Sequence, residues 1–244
     1  MNRSVAFFLL LALSDSAKIP PNFKKCNRKQ PDLKECVLGA VRDGAPQLAK
    51  PFREVGLPSV EPLEVAQVTI KAGSGAVAVD QNFKNCKIYG LSGMQLDKFE
   101  FNFDAKALEV VGVFPEVDVR CEYKLDGKVF SCRSKAKDPL LSKFVKNNKI
   151  DAVLGYEEVA KNGKTYFKFV SSNLNMDPGL MVFNFENLFN GDKQLGDNIN
   201  KVINDNWREI YEDVKEEYTE LINRILLGLL ENFFNKVSIE EAFD

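Results

Sequence analysis

From residue 195 to about 236, Leu195, Ile199, Val202, Ile203, Trp207, Ile210, Val214, Tyr218, Leu221, Ile222, Ile225, Leu226, Leu229, Leu230 and Phe233 recur at steps of three and four. That period predicts one very long amphipathic helix. About 42 residues at 1.5 Å each would span about 63 Å, whereas a compact chain of about 227 residues has a diameter of roughly 45 Å. The helix must therefore kink, or the molecule must be elongated, with strands wrapped along the rod. A stripe at this spacing also suits a coiled-coil stalk. Only one such helix is present, however, and the strands need a partner for their own apolar face, so sheet and helix are assigned to each other.

The strands announce themselves by period two. Phe99, Phe101, Phe103 and Ala105 alternate with Glu100, Asn102 and Asp104, and Val117, Val119, Cys121, Tyr123 and Leu125 alternate with charged neighbours. Each such strand has one dry and one wet face. Leu63 to Lys71 and Ala76 to Phe83 flank Gly73-Ser74-Gly75, a hairpin signal. Asn162-Gly163 joins Ile150–Val159 to Thr165–Val170, and Leu180 to Phe189 supplies another strand, giving about eight antiparallel strands. Ahead of them, Pro31 to Arg42 reads as a short helix with Leu33, Cys36, Val37 and Ala40 on one face. Pro46, Pro51, Gly56, Pro58 and Pro62 make residues 44 to 62 an extended connector without a second helix.

Asn2 and Arg3, then the apolar run Val5 to Leu13 and small or polar residues through Ala17, have the order of a secretory signal peptide. Residues 1–17 are read as this leader, with cuts after Ser14 or Ser16 as alternatives, and 18–244 as a single exported domain. The apolar run is too short to span a bilayer and no stretch of about 18 apolar residues follows it, and no Asn-x-Ser/Thr follows the leader. Export permits disulfides, and five cysteines leave at least one unpaired. Cys26 and Cys36 are placed to pin the start of the mature chain by a bridge. A two-residue turn at Asp126-Gly127 would set Cys121 opposite Cys132, on the face shared by Val119, Tyr123 and Phe130. These two either bridge or remain buried thiols, and Cys86 is left over.

The composition narrows the function. Histidine is absent, which removes Ser-His-Asp and Cys-His catalysis and His-ligated zinc. The motifs GxGxxG, GxxxxGK followed by Ser or Thr, GxSxG and CxxC are missing too. The 33 Lys plus Arg nearly balance 35 Asp plus Glu without basic runs, so no nucleic-acid partner is expected. No catalytic residues, metal ligands or cofactors are assigned. What stands out is 19 Phe against one Trp, a composition for a core or for a cavity that accepts apolar ligands.

Cys26 and Cys36, Gly56-Leu57-Pro58-Ser59-Val60-Glu61-Pro62-Leu63, Tyr89-Gly90-Leu91-Ser92, Tyr123 to Lys128, and Asn187-Leu188-Phe189-Asn190-Gly191-Asp192 leading through Leu195 to Asn206-Trp207 together resemble the insect takeout and juvenile-hormone-binding protein family. The resemblance implies an α+β fold, with a highly curved antiparallel sheet wrapped around one long C-terminal helix. The molecule would be elongated, with an internal hydrophobic tunnel, and related to modules such as those of bactericidal/permeability-increasing protein. It implies a secreted carrier of terpenoid hormones, fatty-acid-like lipids or other isoprenoids, and a bridge between Cys26 and Cys36. The departures are Cys86, Cys121 and Cys132, the polar run Ser131 to Pro139, and the ending Ala242-Phe243-Asp244.

The expected ligand-facing set is Phe99, Phe101, Phe103, Val117, Val119, Tyr123 and Phe130 from the strands, with Trp207, Ile210, Val214, Ile222, Ile225 and Leu229 from the helix. Tyr89, Tyr123, Tyr156 and Cys121 are candidate polar anchors. The partner is then one small hydrophobic ligand, held by a monomer without stable membrane insertion. The competing reading is a protein- or membrane-surface interaction module of the same fold. Against it, the polar face of the helix mixes Asp, Glu, Lys and Arg rather than basic residues alone.

Overall fold

The computed structural model describes residues 16–71, 79–127 and 140–243. Residues 1–15 of the expected leader, the Gly73-Ser74-Gly75 signal, Phe130, Cys132 and the polar run to Pro139 lie outside them. Helix α1 (Leu33–Gly44) leads through short 3-10 turns at Ala45–Ala49 and Arg53–Val55 into the sheet, so the expected featureless connector carries local turns between its prolines. Seven strands follow among the described residues: β1 (Leu63–Ile70), β2 (Val79–Tyr89), β3 (Gln95–Asn102), β4 (Ala107–Gly127), β5 (Leu140–Lys161), β6 (Lys164–Asp177) and β7 (Leu180–Phe185).

The sheet is built on β4 and β5, of 21 and 22 residues, paired antiparallel along nearly their whole length. β2 and β3 lie end to end along one side of β4, while β6 and β7 lie end to end along the free side of β5. The interruptions fall at one level. Gly90 to Met94 separates β2 from β3 opposite Phe114–Val117, Pro115 and Asn147 are the skipped pair between β4 and β5, and Pro178-Gly179 separates β6 from β7. Burial changes parity across this seam: Leu108 and Val110 face inward before it on β4, Val117, Cys121 and Tyr123 after it. β5 switches likewise between Leu141, Lys143, Val145 and Ile150, Ala152, Leu154. Asn147 takes a positive φ of 48° there, and Pro115 has no N–H to donate. The seam needs a glycine at position 90, since φ is +89° and a Cβ would lie 2.2 Å from the Glu116 carbonyl oxygen. Glu61 fastens the loop, accepting from Gly90 N at 2.8 Å, Ser92 N at 2.8 Å and Ser92 Oγ at 2.9 Å.

The single long helix of the sequence pattern is two. α2 (Lys193–Asp205) and α3 (Trp207–Phe234) are separated by Asn206, at φ −116° and ψ 21°. Its side-chain Nδ2 donates to the Val202 carbonyl at 2.8 Å, the local competition by which asparagine ends helices. α3, at 28 residues, is about 42 Å long and fits the globule. α2 turns aside to the free edge of β7. There Asn204 accepts from Phe183 N at 2.7 Å and donates to Phe183 O at 2.9 Å. Asn200 does the same for Phe185 at 2.8 and 3.0 Å. Two amides on one helix face thus stand in for a missing strand and cover an exposed sheet edge. Leu195 and Val202, read as part of the buried stripe, are 48% and 55% exposed because α2 turns its amides rather than this face to the sheet.

Cys26 and Cys36 are bridged, with Cα atoms 5.9 Å apart. The second bridge differs from expectation: Cys121 pairs with Cys86, their Cα atoms 4.2 Å apart. Two departures from hairpin arithmetic explain it. Cys121 stands opposite Leu141, not Cys132, because β4 and β5 are not joined by a two-residue turn at Asp126-Gly127. On the other side, the register shifts between Lys84 and Lys87, so that Asn85 and Cys86 together oppose Cys121. This bulge, with Asn85 at φ 50°, turns Cys86 inward. Smaller corrections concern strand ends. β3 stops at Asn102, leaving Phe103 and Ala105 in the following turn, and β7 stops at Phe185, with Leu188–Gly191 forming a 3-10 turn.

At the chain ends, Ser16 Oγ accepts from Ser238 N at 3.1 Å and Ala17 N donates to Lys236 O at 2.8 Å. Residues Val237 to Ile239 are fully buried beneath them. No helix among the described residues is long and apolar enough to cross a membrane.

Candidate functional site

Because α3 lies across the inward face of the sheet, and α1 with its following turns covers one side, the seam is partly roofed. Under that roof lies a cavity of about 270 Å³. It is nearly twice the ~150 Å³ engineered cavity that admits benzene, which scales to a narrow ligand of roughly ten to fifteen heavy atoms. Its walls are Val41 and Leu48 from the N-terminal segment, Leu91 and Met94 from the seam loop, Val110 and Phe114 from β4, and Leu174, Met176 and Met181 from β6 and β7. Along β5 they run from Lys143 through Val145 and Asn148 to Ile150, roughly 23 Å at 3.3 Å per residue.

Of the expected set, Phe99, Val117, Val119, Ile222, Ile225 and Leu229 come together on this cavity. The other described members do not, for three reasons. Phe101 and Phe103 are packed into a solid aromatic plug. The Phe101 centroid is 5.0 Å from Phe167, 5.2 Å from Phe243, 5.8 Å from Phe234 and 6.1 Å from Phe103. The plug begins where the cavity ends, since the Phe99 ring, on the wall, is 6.0 Å from Phe101. Tyr123 sits beyond the opposite end, its hydroxyl donating to the Glu186 carbonyl at 2.6 Å and its ring 5.1 Å from Phe185. Trp207, Ile210 and Val214 belong to the first turns of α3, outside the lining residues; Arg208 lies 4.6 Å from the Trp207 centroid. Phe130 is outside the described residues. Among the candidate anchors, Tyr156 joins the plug and donates to Asn102 O at 3.3 Å, and Cys121 is consumed by its disulfide. Tyr89 lies under the Arg120 guanidinium at 5.3 Å and is not a wall residue.

Of the polar groups that do reach the cavity, Lys143, Asn148 and Tyr211 are ones the sequence did not single out. Lys143 points inward from β5, paired across the sheet with Val119 and Phe183. Its ammonium lies 4.2 Å from the Tyr218 centroid and 6.0 Å from Phe183. Among the described residues it has neither a carboxylate partner nor a hydrogen-bond acceptor, and burial lowers its pKa from 10.5 to about 8. Tyr218 donates to Gln81 Oε1 at 3.2 Å and is itself pushed up by burial. Tyr211 donates to the Met176 carbonyl at 3.0 Å, and burial raises it to about 12. Asn148, on the wall five residues beyond Lys143, has a buried Oδ1 without a partner among the described residues. Chemically this is an apolar slot with a cation near one end and a neutral amide farther along.

Comparisons with known proteins agree with this architecture. The haemolymph juvenile hormone binding protein (JHBP) family model matches residues 5–244. The circadian clock-controlled protein daywake of Drosophila melanogaster is 22% identical over 242 residues, covering 94% of this chain and 90% of its own. Its Drosophila yakuba counterpart is 20% identical over 235 residues, covering 93% and 89%. The crystal structure of Epiphyas postvittana Takeout 1 has the same fold, with a TM-score of 0.76 and 22% identity over 90% of this chain and 99% of that one. A family match spanning nearly all the sequence meets a curled sheet closed over an apolar slot by a long helix, and on that ground the chain belongs to the haemolymph juvenile hormone binding protein family, whose members carry hydrophobic ligands.

Proposed function

We propose that this protein is a secreted carrier that holds one small, elongated hydrophobic molecule, a terpenoid, fatty-acid-like lipid or other isoprenoid, in the cavity between α3 and the sheet. The observation that carries the reading is the cavity itself: about 270 Å³ lined by aliphatic and aromatic side chains from every layer of the fold. Burying a ten-carbon chain there contributes up to about 8 kcal/mol before association costs, enough for modest affinity without chemistry on the ligand. Two disulfides and the leader-like sequence support export. The covered edge of β7 supports a monomer. We place the leader's cut after Ser14 rather than Ala17, because Ser16 and Ala17 hold the buried C-terminal segment. Mass measurement of the secreted chain should therefore find Asp15 at its start.

Native mass spectrometry of protein from its own secretory source, followed by organic extraction, tests the carrier reading. One defined apolar molecule should leave with the protein. Repeated recovery of empty protein that also ignores fluorescent fatty acids and terpenoids would count against it and favour the interaction-module reading.

A further inference from the structure

Among the described residues, Lys143 is the one charged side chain on the cavity wall. Nothing among the described residues that faces it neutralises it: Val119 on β4, Phe183 on β7, Leu141 and Val145 on its own strand, and Tyr218 on α3. Tyr218 is the only titratable group in that set, and its proton is committed to Gln81. The aromatic face gives the ammonium a partial partner, but a cation–π contact leaves the three N–H donors without acceptors. A buried charge is ordinarily paired and hydrogen-bonded. Here the open side of the ammonium is the cavity.

We infer that Lys143 is the head-group site of this cavity, and that the natural ligand is an amphiphile whose carboxylate pairs with the Lys143 ammonium while its hydrocarbon tail runs along α3 toward Phe99. The inference rests on the carrier reading and narrows it from apolar molecules in general to monoanionic ones. Charge matching excludes a phosphate head. One lysine without arginine, helix N-terminus or second cation beside it would leave a dianion half uncompensated in a dry site. The other polar side chains on the wall, Ser92, Asn148, Tyr211 and Tyr218, are neutral, and the two tyrosine hydroxyls already donate to Met176 O and Gln81 Oε1, so none offers a second charge for the anion. The lowered proton affinity of Lys143 in the empty cavity fits a cation that still lacks its counter-ion.

Isothermal titration of the full mature protein with decanoic acid, methyl decanoate and decan-1-ol at pH 7 tests this. The acid should bind at least tenfold more tightly than the ester or alcohol. In Lys143→Met, which keeps the wall apolar, that preference should vanish while ester binding persists. Should Lys143→Met fail to fold, the wild type alone is decisive. Raising the pH from 7 to 10 should weaken decanoate binding at least tenfold as Lys143 loses its proton, with ester binding unchanged. Equal binding of acid and ester by the wild type, or an unaltered preference in Lys143→Met or at pH 10, overturns the head-group site and leaves the carrier reading standing. Failure of all three probes to bind overturns both.

Discussion

A lysine enclosed by Val119, Phe183 and Tyr218 couples folding to pH in an unusual direction. Its folded-state pKa of about 8 lies below the unfolded 10.5, so between these values the unfolded chain binds a proton that the folded chain has released. Stability of the empty protein should therefore rise with pH across this window, by up to about 3 kcal/mol from this residue alone. Urea denaturation at pH 7.5, 8.5 and 9.5 should show the rise, and Lys143→Met should remove it while stabilising the protein most at the low end. Above pH 10 the trend reverses, because Tyr156 and Tyr211, both raised to about 12 by burial, oppose unfolding only while protonated. None of this was legible in the sequence. Lys143 lies between Leu141 and Val145 on the dry face, but Leu140 and Phe144 on the other face disguise the alternation. The phenylalanines misled in the opposite sense: period two assigned Phe101 to the right face, yet nothing in a period distinguishes a ring that lines a void from one that fills it.

Elements were read more successfully than the joints between them. The helix period and the strand alternation each follow from a repeated local choice, whereas the break at Asn206 and the bulge at Asn85 are single-residue events with no periodic signature. The bulge decides the second disulfide. Peptide mapping should link Cys86 to Cys121 and leave Cys132 as the unpaired member of five. Replacing both with Ala should cost about 4 kcal/mol for a 35-residue separation, against about 3 kcal/mol for the 10-residue Cys26–Cys36 pair. Thermal melts of the two double variants would rank them. The amide pair on α2 makes a second prediction. Asn200→Ala and Asn204→Ala should each cost about 1–3 kcal/mol by stripping Phe183 or Phe185 of two backbone partners. With β7 bare, the double variant should also elute partly as dimer or higher species in size-exclusion chromatography.

At the scale of the whole molecule, a solid plug and a void share one interior, and substitutions separate them. Phe101→Ala removes a ring packed against Phe167, Phe234 and Phe243 and should cost about 3–5 kcal/mol. Val119→Trp enlarges a side chain on the cavity wall, so it should leave the melting temperature of the empty protein nearly unchanged and abolish lipid binding. An early-melting Val119→Trp that still bound lipid would place the ligand elsewhere. The architecture was foreseeable because one long apolar stripe had no helical mate and needed the sheet. The position of the slot was not, since it depends on four interruptions that are far apart in sequence and meet at one level. Those interruptions also set how the molecule yields. A sheet resists bending through its hydrogen-bond rungs, and here the regular ladder is interrupted along a single transverse line, at Gly90–Met94, Pro115, Asn147 and Pro178-Gly179, where Gly179 N still reaches the Lys146 and Asn147 carbonyls at 3.0 and 3.3 Å. The slot lies directly over that line. If the interior is to take a guest longer or bulkier than its resting volume, this is the line about which the two halves of the sheet would tilt, like the covers of a book about a spine, with the fewest strand pairs to break.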